Sequence, residues 1–260
     1  MDQGLRVLPM LSNGSNPEGV MPEPKLEWKK QDAVVVHGPF LSPPVTKIRL
    51  YLLYGGIAYT QKQHLPTGIR SGPYKKVPSV DIDGRQLNDS YIILKHLAPL
   101  IGLELDETWE KKLVLELDCA LKLQPSDADW AKMARAHLGM PGCMTSVFAR
   151  KQYGPLERSQ AAKNIESSGL GHAEVDAVAF AKEFKAAMGS NPFVGGESAG
   201  TPDLSFYGIL ADFLHAKCDI ADRIVQGGEL EEWLSRMEEL VPLNSLFGSL
   251  TYDGTSVSKR

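Results

Sequence analysis

The run Tyr74-Lys75-Lys76-Val77-Pro78-Ser79-Val80-Asp81-Ile82-Asp83-Gly84-Arg85-Gln86-Leu87-Asn88-Asp89-Ser90 packs four structural signals into seventeen residues. After Pro78, Val80 and Ile82 alternate with Ser79, Asp81 and Asp83, the period-two pattern of a strand. Asp83-Gly84 suits a type I′ hairpin turn, whose central residues need positive φ. Gln86-Leu87 is the return strand. Asn88-Asp89-Ser90 then caps a helix bearing Ile92, Ile93, Leu97 and Leu100.

Upstream lies a second set of elements. Ala33-Val34-Val35-Val36 is short, β-branched and apolar on both faces, as a buried strand should be. Gly38-Pro39-Phe40-Leu41 makes a turn. Ser42-Pro43-Pro44 opens a helix, because serine is a preferred N-cap and proline in the first turn forfeits only an N–H that would lack a partner. Val45, Ile48 and Leu52 recur at helical spacing, and Gly55-Gly56 stops the helix. Another strand follows at about Ile57–Gln63. The order is therefore β-α-β, a polar loop ending in proline, then β-β-α, which is the thioredoxin-like layout.

From Asp106 onward the patterns are helical. Apolar stripes run through Glu110–Leu123, His172–Met188 and Glu229–Val241, and the segment Pro202–His215 is apolar nearly all round, as a central enclosed helix would be. Thr201-Pro202-Asp203 reads as an ordinary helix start, with Thr201 as N-cap. The expected class is α+β: residues 1–32 an irregular proline-containing arm, 33–102 a thioredoxin-like domain, 103–245 an all-helical domain and 246–260 a tail.

Composition narrows the functional classes. Hydrophobic residues are 43% and charged residues 23%, ordinary for a globular chain, and the net charge of −4 gives no basic footprint for nucleic acid. No apolar run approaches the length of a membrane span, and the N-terminal residues lack a secretory pattern. A cytoplasmic setting is the default expectation, with an organelle reached after processing left open. Cys119, Cys143 and Cys218 are odd in number and show no C-x-x-C spacing, so they read as reduced structural thiols. The six histidines form no pair at metal-ligand spacing, so no metal is expected. Arg135, Arg150, Lys151, Arg158 and Lys163 surround Met140, Met144, Val147 and Phe148. This is an amphipathic patch for a membrane surface or partner, or a solvated face over a helical hairpin.

A thioredoxin-like half joined to a helical half resembles the glutathione-transferase superfamily. Ser42-Pro43-Pro44-Val45-Thr46-Lys47-Ile48-Arg49-Leu50 looks like the family's first helix, Lys76-Val77-Pro78 resembles its cis-proline segment, and Gln86-Leu87-Asn88-Asp89-Ser90 resembles its acidic-Ser motif. Within the superfamily the likeness is greatest to the membrane-associated prostaglandin E synthase type 2 enzymes. It is strengthened by Asn191-Pro192-Phe193-Val194-Gly195-Gly196, Phe206-Tyr207-Gly208-Ile209-Leu210 and Trp233-Leu234-Ser235-Arg236-Met237-Glu238. It departs in one place: Ser42-Pro43-Pro44-Val45 stands where those enzymes carry C-P-x-C. Without a second sulfur, no mixed disulfide can be resolved at that position.

The resemblance implies a glutathione site with Ser42 as the catalytic residue and Lys76, Val77, Pro78, Asp89 and Ser90 as the binding set. Ser42 would place its hydroxyl, converging backbone N–H groups and the helix dipole beside the thiol, favouring the thiolate. A plain N-cap would account for Ser42 as well. Val77 would pair strand-fashion with the tripeptide backbone. Asp89 would face its ammonium and Ser90 its α-carboxylate, with Lys76 on the glycyl carboxylate. Two expectations follow. One is a glutathione-dependent transferase or isomerase acting on a small apolar electrophile, with Ser in place of the family's catalytic Cys. The other is a catalytically inactive transferase-fold protein serving as a structural subunit or binding module of a larger assembly. A homodimer is compatible with either.

Overall fold

In the computed structural model, the described residues are 33–40, 42–63, 76–82, 85–138, 142–169, 171, 175–247 and 255–257. The arm expected at 1–32 and the turn at Asp83-Gly84 lie outside them. The first half comprises β1 (Val34–His37), α1 (Pro43–Tyr54), β2 (Tyr59–Lys62), β3 (Ser79–Ile82), β4 (Arg85–Asn88) and α2 (Ser90–Leu100). β1 pairs parallel with β2 and antiparallel with β3, and β3 pairs antiparallel with β4. This is the expected β-α-β, β-β-α order. Val34, Val36, Val80, Ile82 and Leu87 are buried, so the apolar positions of the strands make the sheet's share of the core.

The second half is helical. A continuous helix runs through α3 (Glu107–Lys112), a π-helical turn (Leu113–Leu117) and α4 (Asp118–Leu123). α5 (Asp127–Leu138) follows. A second long helix joins α6 (Gly142–Phe148), a π-helical turn (Ala149–Tyr153) and α7 (Gly154–Ser168), and packs back on the first. After them come α8 (Ala177–Met188), α9 (Thr201–His215), α10 (Asp219–Gly227), α11 (Glu231–Leu240) and α12 (Leu243–Phe247). On the long second helix Met144 and Val147 of the suspected amphipathic patch are more than half exposed, whereas Phe148 stacks on Tyr153 and Arg158 pairs with Asp127. Met140 lies outside the described residues.

α9 is the enclosed helix: Leu204, Phe206, Tyr207, Leu210 and Phe213 are all buried. Its start differs from expectation in one detail. Gly200, not Thr201, occupies the N-cap position. The Asp203 carboxylate accepts the N–H groups of Gly200, Gly195 and Val194 and the indole N–H of Trp233. Thr201 is the first helical residue, and its hydroxyl donates to Glu104 and accepts the Asp106 N–H.

α9 packs chiefly on α1, which joins the two halves. Lys47 of α1 and Glu110 of α3 form a buried ion pair, and Ser205 of α9 donates to the other oxygen of Glu110 at 2.8 Å. Tyr51 of α1 donates to the Thr201 carbonyl at 2.9 Å and lies 2.9 Å from the Ser205 hydroxyl. Gly208 allows the close approach, since a Cβ there would fall 2.7 Å from the Lys47 Cα.

The C-terminal stretch, expected as a tail, holds structure of its own. α12 rests on α1, and β5 (Thr255–Val257) adds to the outer edge of β2. The sheet order is β4-β3-β1-β2-β5. Ser-, Gly- and Thr-rich sequence carries no periodic signal, so a short strand that forms only because an edge is present to receive it leaves little trace in the pattern.

A methyl group at position 208 tests the α1–α9 contact. Gly208→Ala is expected to destabilise the fold by about 1–3 kcal/mol, because the Lys47 backbone cannot retreat without separating the halves. Urea unfolding, read as a lower midpoint, checks this.

Candidate functional site

Three connections meet beside the sheet: the β1–α1 turn, the segment entering β3, and the β4–α2 junction. The Val77–Pro78 peptide is cis. The Asp89 N–H donates to the Pro78 carbonyl at 3.3 Å, which sets the start of α2 against the proline. Gly38 (φ 149°) closes the third side, since a Cβ on it would lie 3.2 Å from Val77 Cβ and 2.4 Å from Val45 Cγ2. The structure thus brings Val77, Pro78, Asp89 and Ser90 together. Gly38, which the sequence reading passed over as part of a turn, is the residue whose missing side chain lets the β1–α1 turn reach Val77.

Among the described residues, the Val77 backbone N–H and C=O make no hydrogen bond. Strand pairing begins only at Ser79, so Val77 stays outside the ladder where the chain enters β3. Ser90 is half-buried at the first position of α2, and its hydroxyl likewise has no partner among the described residues.

Asp89 is the N-cap of α2 and accepts the Tyr91 N–H at 2.9 Å. Its backbone sits at φ 76°, ψ 131°, a region that L-residues adopt at a cost of about 1–3 kcal/mol. Burial pushes its carboxyl up to about 6, against the pull of the Tyr91 N–H and the Lys47 ammonium. Lys76 is half-buried; burial lowers its pKa, Asp89 opposes that shift and Lys122 of α4 adds to it. A cation, a carboxylate that is costly to ionise and a helix N-terminus therefore share one small region.

Ser42 occupies the N-cap position of α1, but its hydroxyl makes no capping bond. The Ser42 carbonyl accepts from Val45 and Thr46 at 2.8 and 2.9 Å. Converging backbone N–H groups were expected here, and the local chemistry denies them. Pro43 and Pro44 have no N–H, and that of Val45 is used. The donors left at this end are the Ser42 hydroxyl and its own amide, backed by the dipole of a twelve-residue helix.

Elsewhere the candidate groups are structural. Cys119 and Cys218 are buried and their thiol pKa values are raised by burial, so both are poor nucleophiles. The side chain of Cys143 lies outside the described residues. Among the described residues no set of His, Cys, Asp and Glu side chains is placed to hold a metal ion, and no helix is long and apolar enough to cross a membrane. Sequence reasoning missed a buried polar group beneath the β1–α1 turn. Thr46 donates to Asp212 at 3.0 Å, His137 contacts the Asp212 carbonyl at 3.1 Å, and Arg49 donates to Tyr59 at 3.2 Å. An arginine and an aspartate 163 positions apart carry no common signal in the sequence.

A thioredoxin-like half with a cis-proline where the chain enters β3, followed by a helical half, is the glutathione-transferase fold. Residues 37–102 match the family model described as the N-terminal domain of glutathione S-transferase. A stretch of 100 residues is 32% identical to isoprene-epoxide–glutathione S-transferase of Rhodococcus sp. (strain AD45), covering 38% of this chain and 42% of that enzyme. The match thus spans less than half of the curated relative.

Among solved structures, glutathione S-transferase-I bound with lactoylglutathione superposes with a TM-score of 0.56 at 12% identity, over 83% of this chain and 99% of that one. A glutathione S-transferase from Rhodospirillum rubrum F11 gives 0.52 at 12% identity, over 86% and 96%. Human glutathione S-transferase T1-1 gives 0.50 at 17%, over 80% and 84%. At such identities the structural likeness establishes the fold. The N-terminal match likens residues 37–102 to the same family.

The Asp89 carboxyl gives this region a titration of its own. An unfolded aspartate titrates near 3.9, and the folded one near 6. The folded state therefore holds this proton more tightly, and the group's contribution to stability falls as pH rises from about 4 to 6. The loss is on the order of 2–3 kcal/mol. Asp89→Asn keeps an acceptor for the Tyr91 N–H and removes the titration. Urea midpoints of wild type and variant compared at pH 4 and pH 7 should show the variant gaining relative stability across that interval.

Proposed function

We propose that the chain binds glutathione at the junction of Val77, Asp89 and Ser90 and joins it through its sulfur to a small apolar electrophile. The observation that carries this reading is the Val77 backbone, unpaired among the described residues, beside the N-terminus of α2. An extended tripeptide can pair with the Val77 N–H and C=O in strand fashion. Its α-carboxylate would meet the Ser90 hydroxyl and the helix N-terminus, and its ammonium the Asp89 carboxylate. Lys76 is within electrostatic reach of Asp89 and would take the glycyl carboxylate. An approaching ammonium favours the ionised form of Asp89, so affinity should weaken as pH falls below about 6.

The thiol would lie at the N-terminus of α1. Because the two prolines remove the backbone donors, thiolate stabilisation falls on the Ser42 hydroxyl, the Ser42 amide and the helix dipole. The thiolate would attack an electrophilic carbon lying between the two halves. There the new C–S bond replaces the bond to a leaving oxygen or halide, or opens an unsaturated bond. The Rhodococcus relative's name specifies an epoxide substrate, which fits a small, weakly polar electrophile. The prostaglandin-synthase likeness points to the same class. Loss of both cysteines at the start of α1 makes Ser42-assisted conjugation the better supported chemistry.

Calorimetric titration with glutathione, combined with a conjugation assay on a small epoxide, tests the proposal. Wild type should bind at sub-millimolar to millimolar ligand. Ser42→Ala should retain affinity within about threefold while turnover falls about 10²-fold or more, the size of effect seen when one donor to a developing anion is lost. Absence of binding by wild type would end the glutathione reading. Binding without turnover by wild type would favour the binding-module reading.

A further inference from the structure

Arg49 is a buried cation with few polar partners. It is 1% exposed, and among the described residues no carboxylate lies within ion-pair distance of it. Its Nε donates to the Tyr59 hydroxyl at 3.2 Å, and its Nη1 is sealed from solvent without a hydrogen-bond partner. The Asp212 carboxyl feels the Arg49 charge, but burial pushes it up to about 8, so at neutral pH it is largely uncharged and two aromatic faces lie against the guanidinium. The guanidinium carbon lies 4.8 Å from the ring centre of Phe40 and 5.5 Å from that of Phe247. Both rings are 3% exposed. Phe247 stacks in turn on His215 of α9, with ring centres 4.2 Å apart and planes 15° apart, and meets His137 of α5 edge-on.

These planar groups join distant parts of the chain. Phe40 belongs to the β1–α1 turn, two residues before Ser42. Arg49 is on the second turn of α1, and Phe247 is the last residue of α12. Downstream, β5 returns to pair with Thr60–Lys62 of β2, beside the Tyr59 that bonds Arg49. The C-terminal segment thus meets the thioredoxin-like half twice, at Arg49 and at the edge of β2.

We propose that Phe247 is a positioning residue for Ser42, acting through Arg49 and Phe40. A buried guanidinium lacking an ion pair depends on the faces around it, because a cation–π contact gains strength where water is excluded. Without the Phe247 ring, Arg49 moves into the space it leaves. Phe40 then loses its platform, and the turn presenting the Ser42 hydroxyl loosens. Completion of the C-terminal helix is in this way a condition for the geometry at the N-terminus of α1.

The inference rests on the glutathione reading for its catalytic meaning, but not for its test. Amide hydrogen exchange at Val45 and Thr46, whose N–H groups bond to the Ser42 carbonyl, is measured in wild type, Phe247→Ala, Phe247→Tyr and Leu240→Ala. Phe247→Ala should exchange roughly three- to thirtyfold faster there, the factor corresponding to a buried cation–π contact. Phe247→Tyr keeps the ring and should restore protection, and Leu240→Ala, at an exposed site, should match wild type. Where wild type binds glutathione, Phe247→Ala should also raise the titration point of the bound thiol, read by thiolate absorbance. Unchanged exchange at Val45 and Thr46 in folded Phe247→Ala overturns the proposal. If that variant does not fold, Phe247→Leu makes the same test with less lost volume. Failure of wild type to bind glutathione defeats the transferase reading and leaves the exchange result to decide this one.

Discussion

The molecule depends on the ion pair that Lys47 and Glu110 form out of contact with water. Breaking one partner of such a pair leaves a buried charge and costs about 3–5 kcal/mol, so both must stay. Lys47 is on α1, Glu110 on α3, and the second carboxylate oxygen of Glu110 is held by Ser205 of α9. Three helices, one from the thioredoxin-like half and two from the helical half, are thereby fixed around one charge. Tyr51 and the bare Cα of Gly208 bring α1 and α9 closer still. Because α1 also carries Ser42 at its start, the contact that binds the halves sets where the candidate nucleophile-activating group can lie.

That arrangement explains why the candidate site is made from connections rather than from the faces of elements. β1 and β3 are paired, so the turn leaving β1 and the segment entering β3 end side by side. The cis peptide and Asp89 in its strained backbone conformation then meet through one hydrogen bond. Strain at Asp89 and the raised carboxyl pKa are two consequences of one circumstance: a polar helix start is pressed into a largely buried junction. A ligand bearing an ammonium and a carboxylate would compensate both groups, which is the physical sense of the glutathione proposal.

Much of the fold was legible because local chemistry and global pattern agree in it. Val34–Val36 is apolar on both faces and lies between two neighbours in the sheet. Asp89-Ser90 looks like a helix start and is one, and the all-round apolar segment beginning at Pro202 is enclosed. The legible part of the site is the part written in short motifs, Lys76-Val77-Pro78 and Asp89-Ser90. Ser42 could be singled out, but its surroundings were misjudged. Prolines at positions 43 and 44 cost the helix little, since their missing N–H groups would lack partners, yet the same absence removes the donors a thiolate would need.

By itself the sequence determined the order of elements, the apolar faces and the helix starts, since each is set by neighbours within a few positions. Tertiary structure alone decided which charges are buried and with whom. Lys47 and Arg49 look like ordinary solvent-facing cations on a first helix, yet one meets Glu110 and the other lies against Phe40 and Phe247. It also decided that Thr255–Val257 becomes a strand, since a three-residue segment is held only by the edge that β2 presents. Periodicity reports whether a residue faces inward. The partner it finds there depends on how helices far apart in the chain cross, and no local pattern encodes that.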